Sequence, residues 1–470
     1  MLRHHTARFI VFLLVVALVA FVPTKSHATP AKAEARATAM IAALSTGDAA
    51  TYERAAHENF SKALLARRTP EARAQLVAQV HSEFGPLKIE TSNWQDATLE
   101  IIAAGRQGKL RLGFTFDASA EQRIETVGIE PADDGARGPK VPPPPLASTM
   151  SPSQMSAAID TWVAPYVQHD DFSGVIMIAR NAKPLVVKAY GLADRERKVP
   201  LDAGTTFNIA SIGKKYTQTV IARLIEQGKL KLTTTIADII PDYPNELARS
   251  ATVDQLISMK GGIADFFGPG FNQADKKSLN SNHAYYLYVS KLPQKFKPGS
   301  NTEYCNGCYI VLGEMAERAS GKSFESNVAD IVFRPAHMER SGYFNAASLP
   351  ANTAIRYGRV RGPEAPYENT NPFHGATGSG AGGVYSTAGD LLAFDNALRE
   401  GKLLGPEMTA WVLQGIVTKG RNPAPMGVAG GAPGTNAILD SWDDWAVIVL
   451  ANVDPQLPES MGMAIAKRLR

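Results

Sequence analysis

Apolar positions along this chain change their spacing from one stretch to the next, and each change marks a boundary. Phe9 to Val22 is an unbroken apolar run of 14 residues, preceded by Arg3 and Arg8 and followed by Ser26-His27-Ala28. A membrane-spanning helix needs about 20 such residues. A basic start, a short apolar run and small residues at a cleavage position predict a secretory signal peptide over residues 1–28, with an uncleaved anchor as the alternative. No later stretch is apolar for long enough to span. The mature protein is therefore expected to be secreted or periplasmic, with no stable membrane span.

Between residues 31 and 135 the spacing is first helical. Ala33 to Leu44 is Ala-rich and stops at Thr46-Gly47-Asp48. Tyr52 to Leu65 and Pro70 to Phe84 follow, and Pro70 suits a first helical turn. The period then falls to two. Leu87 to Asn93, Leu99 to Ala104, Leu110 to Phe116 and Ile124 to Ile129 read as strands, with turn residues between the last three. Three helices and an antiparallel meander predict a small separate α+β domain. The order of elements resembles an NTF2-like (cystatin-like) cone, a likeness of pattern without a diagnostic motif. That likeness implies a ligand-holding role or a homodimer through this domain; a docking or spacer module is the plainer expectation.

Gly135 to Pro145 contains Gly138-Pro139 and then Pro142 to Pro145. Such a stretch supports neither helix nor central strand and predicts a stiff linker over residues 136–150. A larger domain follows, residues 151–470. Ser153 is the expected N-cap of a helix to about His169. Phe172 to Arg180 and Pro184 to Tyr190 read as a hairpin turning at Asn181-Ala182-Lys183. Ser211 to Gly228 is a long helical segment. Thr435 to Asp440 and Ala446 to Leu450 read as another hairpin, and Leu457 to Leu469 as a final helix. Strands at both ends with helices between imply an α+β fold, one antiparallel sheet built from the two ends with a helical subdomain inserted.

The length of 470 residues suits two or three domains, and a composition 44% hydrophobic and 20% charged is that of a globular protein. The formal net charge is +4, but Arg3, Arg8 and Lys25 lie in the acid-free leader, which leaves +1. This gives no electrostatic case for nucleic-acid binding. Cys305 and Cys308 form a C-x-x-C pair without a thioredoxin-like βαβ unit nearby, so a structural role, free or bridged, is expected. Two cysteines and no H-E-x-x-H motif give no metal site.

Several catalytic motifs fail on context. There is no G-x-S-x-G elbow, and Gly321-Lys322-Ser323 lacks the first glycine of a P-loop, where Ala316 stands. Gly378 to Gly383 does not follow the dinucleotide-binding pattern. Ser211-Ile212-Gly213-Lys214 is different: it is the one serine with a lysine three residues on. Alone, it reads as an N-cap serine with a solvated lysine. Its place alters that reading, because the apolar stretch Phe207 to Ala210 here meets the start of a long helix. Positions i and i+3 share a helix face, so the amine reaches the serine oxygen, and the helix N-terminus adds partial positive charge there. An amine buried beside a hydroxyl can accept its proton.

Phe207 to Lys214 resembles the serine motif of the β-lactamase-related serine hydrolases, the group of class C β-lactamases, D,D-peptidases and related esterases. Further stretches resemble the same family in the same order. Val253 to Ile263 contains Met259-Lys260-Gly261-Gly262 where the family usually has His-Thr-Ser-Gly. Phe296-Lys297-Pro298-Gly299 leads to Tyr304-Cys305-Asn306. Gly380 to Asp390 and Gly430 to Gly434 complete the set. The likeness runs from about Ser153 to the C-terminus and implies a β-lactamase/penicillin-binding-protein-like fold. Tyr-x-Asn occurs four times, at Tyr243, Tyr304, Tyr343 and Tyr367, but only Tyr304 follows Pro-Gly and precedes a helical stretch, Tyr309 to Ser320. The resemblance makes Ser211 the nucleophile, Lys214 its activating base, Tyr304 a proton shuttle, and Asn306 a support for Lys214 or the substrate amide.

The third motif departs from the pattern. Val428-Ala429-Gly430 stands where the family has Lys or His, then Thr or Ser, then Gly. The cation and hydroxyl that would bind a substrate carboxylate are missing. Backbone amides of Ser211 and Gly431, beside Gly430, suffice for an oxyanion hole. Arg356, Arg359 and Arg361 are candidate replacement cations, with surface solvation their expected state. The function expected is an exported hydrolase of ester or amide bonds in a small-molecule or peptide-like substrate. It would work through an acyl-serine, without metal or organic cofactor and with poor β-lactam turnover. The sequence assigns no deacylation base. The alternatives are a weak or inactive binding protein on the same scaffold, and a protein that chiefly self-associates through residues 31–135.

Overall fold

The computed structural model describes residues 30–106, 108–132, 141–360, 365–414, 426–454 and 457–470; the leader and the start of the linker lie outside them. Four helices come first: α1 (Pro30–Thr46), α2 (Ala49–Asn59), α3 (Lys62–Ala66) and α4 (Pro70–Phe84). Asp48, Ser61 and Thr69 cap the last three by accepting from backbone amides of the first turn. The single helix expected over Tyr52 to Leu65 is therefore two. Phe60 is extended (φ −83°, ψ 151°), bridges Ile124 and buries its ring edge-on against Tyr52. Burial of that ring outweighs the weak propensity that would carry the helix through.

Strands β1 (Lys88–Gln95), β2 (Thr98–Gly105), β3 (Gly108–Phe116) and β4 (Ile124–Ala132) then pair as an antiparallel meander in chain order. Leu99, Ile101 and Ala103 alternate inward with Leu110, Leu112 and Phe114 and meet the helices in a core separate from the rest of the molecule.

In the larger unit α5 (Pro152–Gln168) starts earlier than expected. Ser151, not Ser153, is its N-cap, and it closes a capping box with Gln154. The described part of the linker lies against this helix: Trp162 Nε1 donates to the Pro142 carbonyl (2.8 Å) and Leu146 is buried beside it. Strands β5 (Gly174–Arg180) and β6 (Lys183–Tyr190) join through Asn181 and Ala182, both at positive φ (49° and 63°), the two-residue turn that matches hairpin twist.

The helical subdomain holds α6 (Lys214–Glu226), entered through the 3-10 turn Ala210–Gly213, then α7 (Asn306–Ser320) and α8 (Ala388–Arg399). The chain returns to the sheet as β7 (Met426–Ala432), β8 (Thr435–Trp442) and β9 (Trp445–Ala451) and ends in α9 (Leu457–Leu469). The sheet order is β7-β8-β9-β5-β6, every pair antiparallel. Central β9 is apolar on both faces. Val447, Val449 and Ala451 join the core under α5 and α9, while Ala446, Ile448 and Leu450 face the helical subdomain. The two units also touch: the Thr69 amide donates to Lys295 O (2.9 Å), and Arg68 pairs with Glu303 at 2.8 Å.

Candidate active site

Ser211 sits in the tight turn between β-structure and α6. Ala210, just before it, has φ +42°, an uncommon value for a residue with a side chain, and this lifts the serine out of the regular path. The edge strand β7 passes close under this turn. A Cβ at Gly430 would lie 2.5 Å from Ile209 O and 2.7 Å from Ser211 N, so only glycine lets the strand approach the serine amide.

The predicted residues converge. Tyr304 Oη donates to Ser211 Oγ (2.7 Å), and Lys214 Nζ lies 3.1 Å from the same oxygen. Lys214 is 6% exposed; its amine also donates to Asn306 Oδ1 (2.6 Å) and to the Ala381 carbonyl (2.6 Å). The amine therefore meets three acceptors, of which Asn306 Oδ1 and Ala381 O can only accept and the Ser211 hydroxyl alone can also donate.

Two supporting groups carry no sequence signal. Asp265 Oδ2 accepts from Asn306 Nδ2 (2.8 Å), which fixes the amide so that Oδ1 faces Lys214. Asp265 lies in a loop without periodicity, and only the fold brings it to Asn306. The Ala381 carbonyl is backbone, and its use depends on the turn of Gly382 and Gly383. Cys305 and Cys308 are bridged and buried at the start of α7, closing the short loop that bears Asn306 and follows Tyr304. The departed stretch at Met259 serves structure: Met259 O accepts from the Glu303 amide (3.1 Å), which anchors the segment leading to Tyr304.

Ser211 opens into a cleft that also bears Asn306, Gly431, Arg356 and His374. Val428 and Ala429 do not line it. The expectation of surface solvation fails for Arg356, which is 4% exposed: Nε donates to Asn371 Oδ1 (2.8 Å), and the side chain turns into the cleft. Arg359 instead stacks on the Tyr367 ring (4.6 Å), and Arg361 lies outside the described residues. Among the described residues His283, Glu314 and Glu317 bring possible metal ligands within 4.8 Å of one another. Glu314 is already engaged by His283 (2.9 Å) and Arg318 (2.9 Å), and none of the three lines the Ser211 cleft.

The family model described as Beta-lactamase matches residues 159–470. Penicillin-binding protein 4* of Bacillus subtilis is 26% identical over 303 residues, 58% of this chain and 66% of that protein. Esterase EstB of Burkholderia gladioli is 25% identical over 299 residues, 57% of this chain and 76% of that protein. The chain spans only 58% of the length of a further Bacillus subtilis relative, PbpX. Among solved structures, the penicillin binding protein of Bacillus halodurans superposes with a TM-score of 0.58 at 26% identity, covering 64% of this chain and 98% of that one. The match over most of the chain makes this protein a member of the Beta-lactamase family, whose members include penicillin-binding proteins and esterases.

Proposed function

We propose that the protein is an exported serine hydrolase that cleaves ester or amide bonds through an acyl-serine intermediate. The contact set Tyr304–Ser211–Lys214 carries this reading. Ser211 Oγ attacks the carbonyl carbon as its proton passes to Lys214 Nζ. The oxyanion is stabilised by the amides of Ser211 and Gly431. Lys214 returns the proton through Tyr304 to the departing oxygen or nitrogen, and the carbonyl–leaving-group bond breaks. Water then hydrolyses the acyl-serine and regenerates the hydroxyl.

Turnover of β-lactams is expected to be poor. A charge-assisted hydrogen bond to a carboxylate contributes about 1.5–3 kcal/mol, and Val428 and Ala429 supply neither cation nor hydroxyl. That the Burkholderia relative is an esterase agrees with this preference. Export rests on the leader at residues 1–28.

The test is intact-mass measurement after incubation with an active-site serine phosphonate. One adduct is expected on the wild-type protein and none on Ser211→Ala. Equal labelling of both would sink the assignment. The substrate preference is read from the specificity constants for a penicillin and a short nitrophenyl ester. The ester should win, and efficient β-lactam turnover would overturn the preference.

A further inference from the structure

We propose that the Cys305–Cys308 bridge is a redox-sensitive positioning element of the catalytic centre. Closed, it holds Asn306 against Lys214. Opened by a dithiol, it leaves the protein folded but slows acylation of Ser211. The inference rests on the hydrolase reading for the word acylation.

The chain has two cysteines in 470 residues, and they bracket Asn306 and Gly307. A bridge between residues three apart does little for the whole fold, because the entropy it removes from the unfolded chain grows with the loop it closes. Its effect is local, and the place is the active site. Tyr304, which donates to Ser211 Oγ (2.7 Å), directly precedes the bridge. Asn306, which accepts from Lys214 Nζ (2.6 Å), lies inside it.

Asn306 is also the first residue of α7, where a helix is least secure, since its first amides have no partner within the helix. An oxygen at the N-cap usually meets one of them. Here the N-cap is Cys305, whose Sγ accepts from the Cys308 amide (3.0 Å), and sulfur is a weak acceptor. The covalent bond ties the N-cap to that same residue and holds the turn where the weak cap alone would not. With the bridge open the first turn frays, and Asn306 moves with it.

The bridge also steadies the other partner of the Asn306 amide. Asp265, which accepts from Asn306 Nδ2 (2.8 Å), ends a segment, residues 261–265, that packs on the bridge. Ile263 O lies 3.5 Å from Cys305 Sγ. A Cβ at Gly261 would lie 3.0 Å from Cys308 Sγ, and one at Gly307 would lie 2.1 Å from Ala264 O. Glycine at both positions lets the segment and the bridge close on each other. Gly261 stands where the resembled family usually has serine, so that departure from the motif makes room for the sulfur.

The sulfurs are buried, at 2% and 0% exposure, so reduction requires the first turn to open. One thiol of the reagent attacks a sulfur and the S–S bond breaks; its second thiol then displaces the mixed disulfide. Two electrons and two protons pass to Cys305 and Cys308, and the dithiol closes to a cyclic disulfide. A reducing compartment keeps the bridge open and an oxidising one closes it, so the chain gains its full rate only after export.

The test follows the rate and the final extent of Ser211 phosphonate labelling in the full chain, with and without excess dithiothreitol. Free thiols are counted by alkylation and intact mass. A displacement of about 1 Å in a catalytic group costs about 100-fold, so reduction, which loosens without removing, should slow labelling about tenfold. It should still reach one adduct per chain, and oxidised glutathione should restore the rate. Cys305→Ala with Cys308→Ala should be as slow and indifferent to the reagent. Cys305→Ser with Cys308→Ala, which gives the N-cap an oxygen, should recover part of the rate. Three results would each overturn the proposal: an unchanged rate in protein with two free thiols, a lost fraction of labelled sites in place of a slower rate, or a bridge that stays closed in excess reagent. If the double alanine variant does not fold, the reduced and reoxidised wild-type protein decides. If the oxidised wild-type protein is not labelled at Ser211, the hydrolase reading falls by itself. The bridge is then judged by hydrogen exchange of the amides of residues 306–309. Exchange about tenfold faster on reduction upholds it as the element that positions Asn306, and unchanged exchange overturns it.

Discussion

The N-terminal unit and the hydrolase unit each bury one arginine among the described residues, and the two are used in opposite ways. Arg73, on α4, is gripped by Glu53 through Nε (2.7 Å) and Nη2 (2.6 Å), and its Nη1 donates to the carbonyls of Leu65 and Arg68. The hydrogen bond from Arg73 in turn holds the Glu53 carboxyl below its usual range. Arg356 has one acceptor and an open side facing a cleft. A buried cation whose donors are all met by its own chain is part of the architecture. One left partly unmet in a cleft is available to a ligand. The same contrast separates the cores: the N-terminal unit buries few polar side chains, whereas the hydrolase unit buries Lys214, Asn306 and Arg356 around one serine.

Substitutions that test this contrast fall in order of effect on ester hydrolysis. Ser211→Ala should lower kcat by about 10⁴-fold or more with little change in Tm, since only a half-buried hydroxyl is lost. Lys214→Met should slow acylation by roughly 100-fold or more, read as the labelling rate with the phosphonate; a near-wild-type rate would refute its role as base. Asp265→Ala, which frees the Asn306 amide to rotate, should slow the same step by about tenfold, the lower range for loss of an orienting partner.

Arg73→Met should leave the rate unchanged and act on stability alone, by at most about 3 kcal/mol, since it strips one partner from a mostly buried pair. The contribution of that pair carries a sign in pH. The folded Glu53 carboxyl lies below its ordinary 4.5, so the stabilisation is present above that value and is lost as pH falls through the depressed one. Acid should therefore narrow the Tm gap between Arg73→Met and wild type. A small effect on the rate is also expected from removing the N-terminal unit altogether. A fragment from residue 141, which keeps Pro142 and Leu146 on α5, should fold and hydrolyse esters within about threefold of the full chain. Failure to fold would mean that the Arg68–Glu303 and Thr69 contacts join the two units into one.

Much of this was legible where chemistry and local geometry agree. Pro70 and Gly85 punctuate α4, and both its ends match the sequence pattern, as do those of α9. The four residues Ser211, Lys214, Tyr304 and Asn306 were found by motif and order, and the fold brings them within hydrogen-bond reach. Other features depend on approach across the chain. β7 has three glycines and no strand pattern; its place follows from the need to slide under Ser211. The break at Phe60 is set by Ile124 on a distant strand. Arg356 looks like any surface arginine until the loop that holds it folds over Asn371. Composition and spacing report local preference, and these three are decided by distant partners.

The sheet drawn from both ends of the chain also fixes a timetable. Val175 on β5 faces Leu450 on β9, so the central pairing of the larger unit closes a very long loop and waits for β9 to be synthesised. Until then the β5–β6 hairpin keeps an open edge, the kind of template on which nascent chains stick to one another. The turn bearing Ser211 likewise acquires its glycine strand only when the C-terminal hairpin arrives. A polypeptide cut short between Lys214 and β7 thus has its serine and lysine but lacks the glycine strand that packs under their turn.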